Sequence, residues 1–354
     1  MRARDLGIAI GQGTPGPKNA ITDVAGVRVG VTTLIEREDV RTGVTVILPP
    51  DLPLFAGWHR LNGNGELTGT HWIRESGLLT TPIAITNTHS VGVVRDALIA
   101  THPTDPDHWS LPVVGETWDG TLNDINGFHV KPEHVFAAVQ SASGGPVPEG
   151  NVGGGTGMIC HEFKGGTGTA SRVLLEPDGG YTVGVLVQAN HGWRHRLVIE
   201  GVPVGREIPY ERIPAPREKR PPGSGSIIGI VATDAPLLPG QCERLAQRVG
   251  LGVARTGGVG ENSSGDIFLA FATGNRGLAG EERTASVEML RNEHITALFF
   301  AVIEATEEAI VNALVAAETM RGRGGTTAYR LEPELLVGVI RRGRASTSND
   351  AASA

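Results

Sequence analysis

The chain has 354 residues, 40% of them hydrophobic and 19% charged, enough to bury a sizeable core in two ordinary domains or one large one. Its net charge of −7 leaves no basic concentration suited to nucleic acid or an anionic membrane surface. No apolar run approaches the length of a membrane span, and Met1-Arg2-Ala3-Arg4-Asp5-Leu6 lacks the apolar stretch of a secretory signal.

The 50 glycines are roughly twice the usual share of about 7%. They are aperiodic and gather in short runs and at strand ends, so tight turns and close backbone approach are expected rather than disorder. Cys160 and Cys242 show no C-x-x-C spacing and read as reduced structural thiols, in keeping with a cytoplasmic protein.

In chain order, residues 27–31 alternate as a strand, and 44–48 form a second one that ends at Pro49-Pro50. Residues 62–66 are a turn by composition, and 72–76 a short helix. A strand at 83–86 runs into Asn87-Thr88-His89, and a helix is predicted over 92–99. The apolar run 111–115 ends in Glu116-Thr117-Trp118-Asp119-Gly120, which breaks the pattern with polar residues. A helix over 134–140 and a loop over 141–150 follow.

Next comes Gly150-Asn151-Val152-Gly153-Gly154-Gly155-Thr156-Gly157-Met158, then a strand over 181–189 that ends at Asn190-His191-Gly192. The loop 205–225 contains Pro221-Pro222-Gly223-Ser224-Gly225 and leads into the apolar run that Ser226 opens. Asp234 and Pro236 end that strand. Pro239 suits the first turn of a helix that places Cys242, Leu245, Ala246 and Val249 on one face, with Gly250 at its end. A buried strand over 266–273 and a long apolar helix over 295–320 complete the core, and 346–354 reads as a disordered tail. Several strands are apolar throughout, so sheets buried on both faces are expected, in a layered α/β or α+β enzyme.

The candidate chemistry centres on Ser226, a hydroxyl at the junction of a Pro-Gly loop and a core strand. If the chain is cut before it, Ser226 carries its own base. An α-amine has a pKa of roughly 7.7–8, and an N-terminal amine serving a hydroxyl nucleophile is an established arrangement. The same Gly-Ser spelling also suits a plain linker. Ser264 and Asp266 stand two apart before a core strand, on one side of an extended chain; they form either an ordinary turn or a pair that holds an amine or hydroxyl. Asn190 is either a strand-end turn residue or a donor to an oxyanion. Glu116 either solvates a loop or binds a cationic substrate group. The glycines at 153–157 lack a Gly-Lys-Ser/Thr ending and do not complete a dinucleotide fingerprint, which favours backbone packing over nucleotide binding. His191 and His195 are four apart and fit one helix face, while His161-Glu162 has no second zinc-protease histidine; no metal or other cofactor is expected.

Taken together, Gly150–Met158, Val187-Gln188-Ala189-Asn190, Gly225-Ser226-Ile227-Ile228 and Ala232-Thr233-Asp234-Ala235-Pro236-Leu237 resemble the self-processing aminopeptidases. That family includes the DmpA-type L-aminopeptidase/D-esterases and the β-peptidyl aminopeptidases. The resemblance implies an α+β fold, an αββα sandwich shared with ornithine acetyltransferase, and a single catalytic domain over 1–354. It implies cleavage between Gly225 and Ser226 into 1–225 and 226–354. By similarity Ser226 is the nucleophile, its amine the general base, Ser264 and Asp266 orient that amine, and Asn190 lines the oxyanion hole. Glu116 and Trp118 would contact the substrate, Trp118 standing where relatives carry Tyr; indole offers only an N–H, so an acid–base role does not carry over. The implied partners are a small peptide or an amino-acid amide or ester, and three further copies of the processed unit in a homotetramer. An acyltransferase resembling ornithine acetyltransferase is the alternative; Ser226 argues against it, because those enzymes usually cut before Thr.

Overall fold

The computed structural model describes residues 1–101, 109–217 and 225–352; of the expected loop 205–225, residues 218–224 lie outside the described residues, its first residues belong to a short helix that ends at Glu207, and Gly225 already belongs to a strand. In chain order the strands are β1 Arg28–Glu36, β2 Val40–Leu48, β3 Leu54–Gly63, β4 Leu78–Leu79, β5 Ile83–Asn87, β6 Val113–Thr117, β7 Ile159–Cys160 and β8 Phe163–Lys164. They continue as β9 Gly166–Val173, β10 Thr182–Asn190, β11 Gly225–Thr233, β12 Ser264–Ala272, β13 Met320–Arg321 and β14 Thr327–Ala328. The helices are α1 Thr70–Ser76, α2 Val91–Ala100, α3 Pro132–Ser141, α4 Val204–Glu207, α5 Pro239–Arg255, α6 Thr296–Val315 and α7 Pro333–Ala352.

Two sheets carry the fold, one in the order β1-β2-β5-β6 and one in the order β4-β3-β12-β11-β10-β9. The alternation of side chains along β11 shows how they stack. Ile228, Ile230 and Ala232 join Leu186, Leu269 and Phe271 against Val29, Ile47, Ile83, Ile85 and Val113 of the smaller sheet. Ile227 and Val231 face the other way, into Leu245, Ala246 and Val249 of α5 and the apolar side of α6. The far face of the smaller sheet packs Val44, Val46, Ala84 and Val114 on Val94, Leu98, Val135 and Ala138 of α2 and α3. Three apolar layers therefore separate four layers of structure, helix–sheet–sheet–helix, the expected αββα sandwich. Both faces of β11 are buried along its whole length, which is why it reads as a continuous apolar run.

The structure corrects several boundaries. Helix α5 runs past Gly250 to Arg255. The glycine that matters there is Gly252, where a Cβ would lie 2.5 Å from Thr306 Cβ, so its role is close crossing with α6 rather than termination. Helix α6 stops at Val315, and the chain then turns into the β13–β14 pair instead of staying helical to Met320. The tail is not disordered throughout: α7 extends through Ala352, continuing from a segment anchored by Leu336, Val339 and Ile340. The glycine run at Gly153–Gly155 is a buried 3-10 turn. A Cβ on Gly154 would sit 2.1 Å from Gln188 Oε1 and 2.6 Å from the Ile85 carbonyl oxygen, and one on Gly157 2.3 Å from that of Arg41. These glycines let a loop pass between the two sheets, as the packing reading expects.

Candidate active site

Ser226 is the second residue of β11, 2% exposed, with its side chain on the same face as Ile228 and hence toward the layer between the sheets. Its register neighbours are Asn190 on antiparallel β10 and Gly265 on parallel β12. The Gly265 N–H donates to Ser226 Oγ at 3.2 Å, and Oγ donates to the carbonyl oxygen of Gly225 at 2.5 Å. The hydroxyl is thus held against the peptide bond that precedes it.

Ser264 and Asp266 pair as their spacing predicts, Ser264 Oγ donating to Asp266 Oδ1 at 2.6 Å. The Asp266 carboxylate also reaches the N–H of Ile227, one residue from the nucleophile. A bulge in β3 skips Leu61 and sets Asn62 opposite Asp266, so that Asn62 Oδ1 accepts from the Asp266 N–H at 2.9 Å. Burial pushes the Asp266 carboxyl up to about 6, against the pull of the Ser264 hydroxyl and the Ile227 N–H.

Asn190 closes β10 and is clamped at both ends of its amide. Its Oδ1 accepts from the Ile159 N–H at 2.8 Å and its Nδ2 donates to the Trp118 carbonyl at 3.0 Å. Glu116 corrects its loop reading: it is inside β6, paired with Thr86, and only 3% exposed. The strand continues through Glu116 because parallel pairing with β5 satisfies its backbone. Its Oε1 accepts from the Glu66 N–H at 3.0 Å and its Oε2 from the Thr88 hydroxyl. Burial raises this carboxyl above its ordinary value while those two donors oppose the shift.

At this end the apolar layer between the sheets gives way to a cleft of about 370 Å³ lined by Asn64, Gly65, Glu66, Thr88, Glu116, Trp118 and Ser226. Ser264, Asp266 and Asn190 flank Ser226 through the sheet rather than line the cleft. Trp118 is half-buried, with the Arg217 guanidinium 5.9 Å from its ring centroid. Thr88, Asn62 and Asn64 are site residues that the sequence did not single out: Asn62 and Asn64 read as turn residues, and Thr88 only as part of the segment after a strand. Their positions at strand ends were visible, but the partners lie far along the chain: Asn62 binds Asp266 and Asn64 Nδ2 donates to the Ser263 carbonyl. The histidine pair is a correction of a different kind. Residues 190–193 form no helix, so His191 and His195 share no face; His191 is buried beside His161 and His195 is exposed.

The family model for peptidase family S58 matches residues 19–328. The chain belongs to peptidase family S58. It is 51% identical to the β-peptidyl aminopeptidase BapA of Sphingosinicella microcystinivorans, over 97% of this chain and 92% of that one. Among solved structures, a β-aminopeptidase of Burkholderia sp. superposes with a TM-score of 0.92 at 56% identity, covering 97% of this chain and 99% of its own. The L-aminopeptidase D-Ala-esterase/amidase of Ochrobactrum anthropi, a prototype for the serine aminopeptidases and a variant of the Ntn-hydrolase fold, superposes with a TM-score of 0.87 at 46% identity, covering 96% and 98%. Membership of S58 makes the chain a hydrolase of the serine-aminopeptidase type with an α+β Ntn-hydrolase sandwich, and it disfavours the acyltransferase alternative. No helix among the described residues is long and apolar enough to cross a membrane.

Proposed function

We propose that the chain cuts itself between Gly225 and Ser226 and then works as an aminopeptidase, releasing small N-terminal residues, D- or β-amino acids among them, from peptides, amides and esters. The observation that carries this reading is the seating of Ser226 Oγ on the Gly225 carbonyl. In the cutting step Oγ attacks that carbonyl carbon, the peptide C–N bond breaks, and the proton lost by Oγ ends on the departing nitrogen. The product is an ester on Oγ beside a free Ser226 amine. Water then hydrolyses the ester, leaving a carboxylate on Gly225. Gly225 places no side chain in the path of attack.

In turnover the freed amine takes the Oγ proton as Oγ attacks the substrate carbonyl, and water later resolves the acyl-enzyme. Asp266, oriented by Ser264, holds the amine as it becomes an ammonium. Asn190 donates to the developing oxyanion, a contribution typically of roughly 3–4 kcal/mol to the barrier. Glu116, backed by Thr88 and the Glu66 N–H, receives the substrate's amino group, and Trp118 walls the cleft beside it. The relatives named for β-peptidyl substrates support that substrate class for this cleft. The same reading makes 1–225 and 226–354 two chains of one catalytic domain, assembled as a homotetramer in the cytoplasm. Ser226→Ala tests it: the purified variant should show one uncut mass and no hydrolysis of amino-acid p-nitroanilides. Cutting or hydrolysis that survives the substitution overturns the assignment.

A further inference from the structure

On the far side of Asn190 from the cleft, the chain gathers three side chains that the aminopeptidase chemistry does not use. Cys160 ends β7, His161 opens the turn into β8, and His191 follows Asn190 at the end of β10. All three are buried, at 0%, 0% and 4% exposure. One ligand atom from each falls within 4.8 Å of the other two. The Cys160 Sγ lies 3.9 Å from His191 Nδ1, and the two imidazole rings meet edge to face with centroids 5.2 Å apart.

The backbone is shaped around this cluster. The two turn residues, His161 and Glu162, hold φ of 48° and 64°, left-handed values that a β-hairpin turn ordinarily fills with Asn or Gly. The His161 N–H donates to the His191 carbonyl oxygen at 2.7 Å, tying the turn to the end of β10. A Cβ at Gly192 would lie 2.3 Å from the His161 ring, and one at Gly258 would lie 3.0 Å from the His191 ring, so glycine makes room for both imidazoles. His161 Nδ1 stands 3.0 Å from the Trp193 carbonyl oxygen. A carbonyl only accepts, so Nδ1 carries a proton. A backbone carbonyl that fixes the tautomer in this way is the usual support of a metal-ligating histidine.

We propose that Cys160, His161 and His191 bind a borderline-soft divalent transition-metal ion, Zn²⁺ by the chemistry of the donors, which clips the β7–β8 hairpin to the end of the strand that carries Asn190. One thiolate and two imidazoles suit such an ion, at about 2.3 Å for sulfur and about 2.0–2.1 Å for nitrogen. Reaching those distances draws the three donors together from their present spacing. Binding exchanges the thiol proton of Cys160 for the metal and releases it to solvent. Lys164 donates from its Nζ to the carbonyls of Met158 at 2.8 Å and Gly165 at 2.6 Å; burial pushes its ammonium down to about 7, and a thiolate at Cys160 would favour the charged form. The ion would sit behind the Ile159 N–H that holds the Asn190 amide, so its place is structural support of the strand end rather than contact with substrate.

The test uses the full-length, tag-free chain and reads metal directly, so its result is separable from that of self-cutting; it is run on wild type and on Ser226→Ala alike. Stripped protein is titrated with Co²⁺ and, separately, Zn²⁺. One equivalent should bind, Co²⁺ should show a thiolate-to-metal charge-transfer band, and Zn²⁺ should displace it. Cys160→Ser should abolish that band and weaken Zn²⁺ binding at least 10-fold, whereas Cys242→Ser, at the other buried thiol, should leave both unchanged. Should Cys160→Ser fail to fold, X-ray absorption of the zinc-loaded wild type reads one sulfur and two imidazole nitrogens around the ion. No stoichiometric binding, a band that persists in Cys160→Ser, or an all-oxygen shell would overturn the site and leave the two rings and the thiol as core packing.

Discussion

Ser226 Oγ sits between two backbone groups, accepting from the Gly265 N–H and donating to the Gly225 carbonyl. Nothing in that arrangement is a strong base, which fits a hydroxyl that gains its base only when the chain is cut. The neighbouring carboxyls carry the electrostatics. Asp266 is held at about 6 by burial, above its ordinary 3.8, so the uncut fold favours its neutral form. The associated stability is full below about pH 4 and is lost as pH rises through about 6. In the uncut Ser226→Ala chain, adding Asp266→Asn should therefore raise stability at pH 8 by up to about 3 kcal/mol. That gain should vanish near pH 4 in denaturant melts. In the cut enzyme the same substitution should lower kcat/KM roughly 10–100-fold, because the Ser226 ammonium loses an anionic partner. A loss of stability with unchanged activity would contradict the assigned role. Glu116→Gln should raise KM for substrates with a free amine roughly 10–100-fold and leave kcat nearly intact. A fall in kcat at constant KM would place Glu116 in the chemistry instead.

At the scale of elements, the site is the meeting of one strand end and two strand starts. Strand β11 delivers Ser226, β10 delivers Asn190 opposite it, and β12 delivers Ser264 and Asp266 on its other side. The apolar runs, the Pro239 helix start and the polar residues at strand ends were legible along the chain, because burial on both faces writes itself as uninterrupted Ile and Val. What was not legible depends on pairing across the fold. Glu116 reads as a break after apolar residues, yet parallel pairing with β5 carries the strand through it. The Asn62 contact depends on a bulge that no local signal announces. The 153–157 glycines, by contrast, owe their role to packing alone. Gly154→Ala should cost about 1–3 kcal/mol through overpacking against Gln188 and Ile85, measured as a lower denaturation midpoint. An unchanged midpoint would mean that the loop between the sheets yields freely.

For the molecule as a whole, the proposed cut falls inside the architecture rather than between domains. Residues 226–354 supply β11, β12, α5 and α6, while 1–225 supplies β3 on one side of that strand pair and β10 on the other. Separating the two chains would expose both faces of the central sheet, so they should co-migrate in native chromatography and part only in denaturant. The family resemblance read from the motifs extends to the complete sandwich, as the superpositions with the two solved aminopeptidases show. The most direct measurement follows freshly synthesised chain by intact mass and by aminopeptidase activity over the same time course. Activity should rise in proportion to the appearance of a second chain whose first residue is Ser226. Full activity from the intact 354-residue chain would contradict a nucleophile that depends on its own liberated amine.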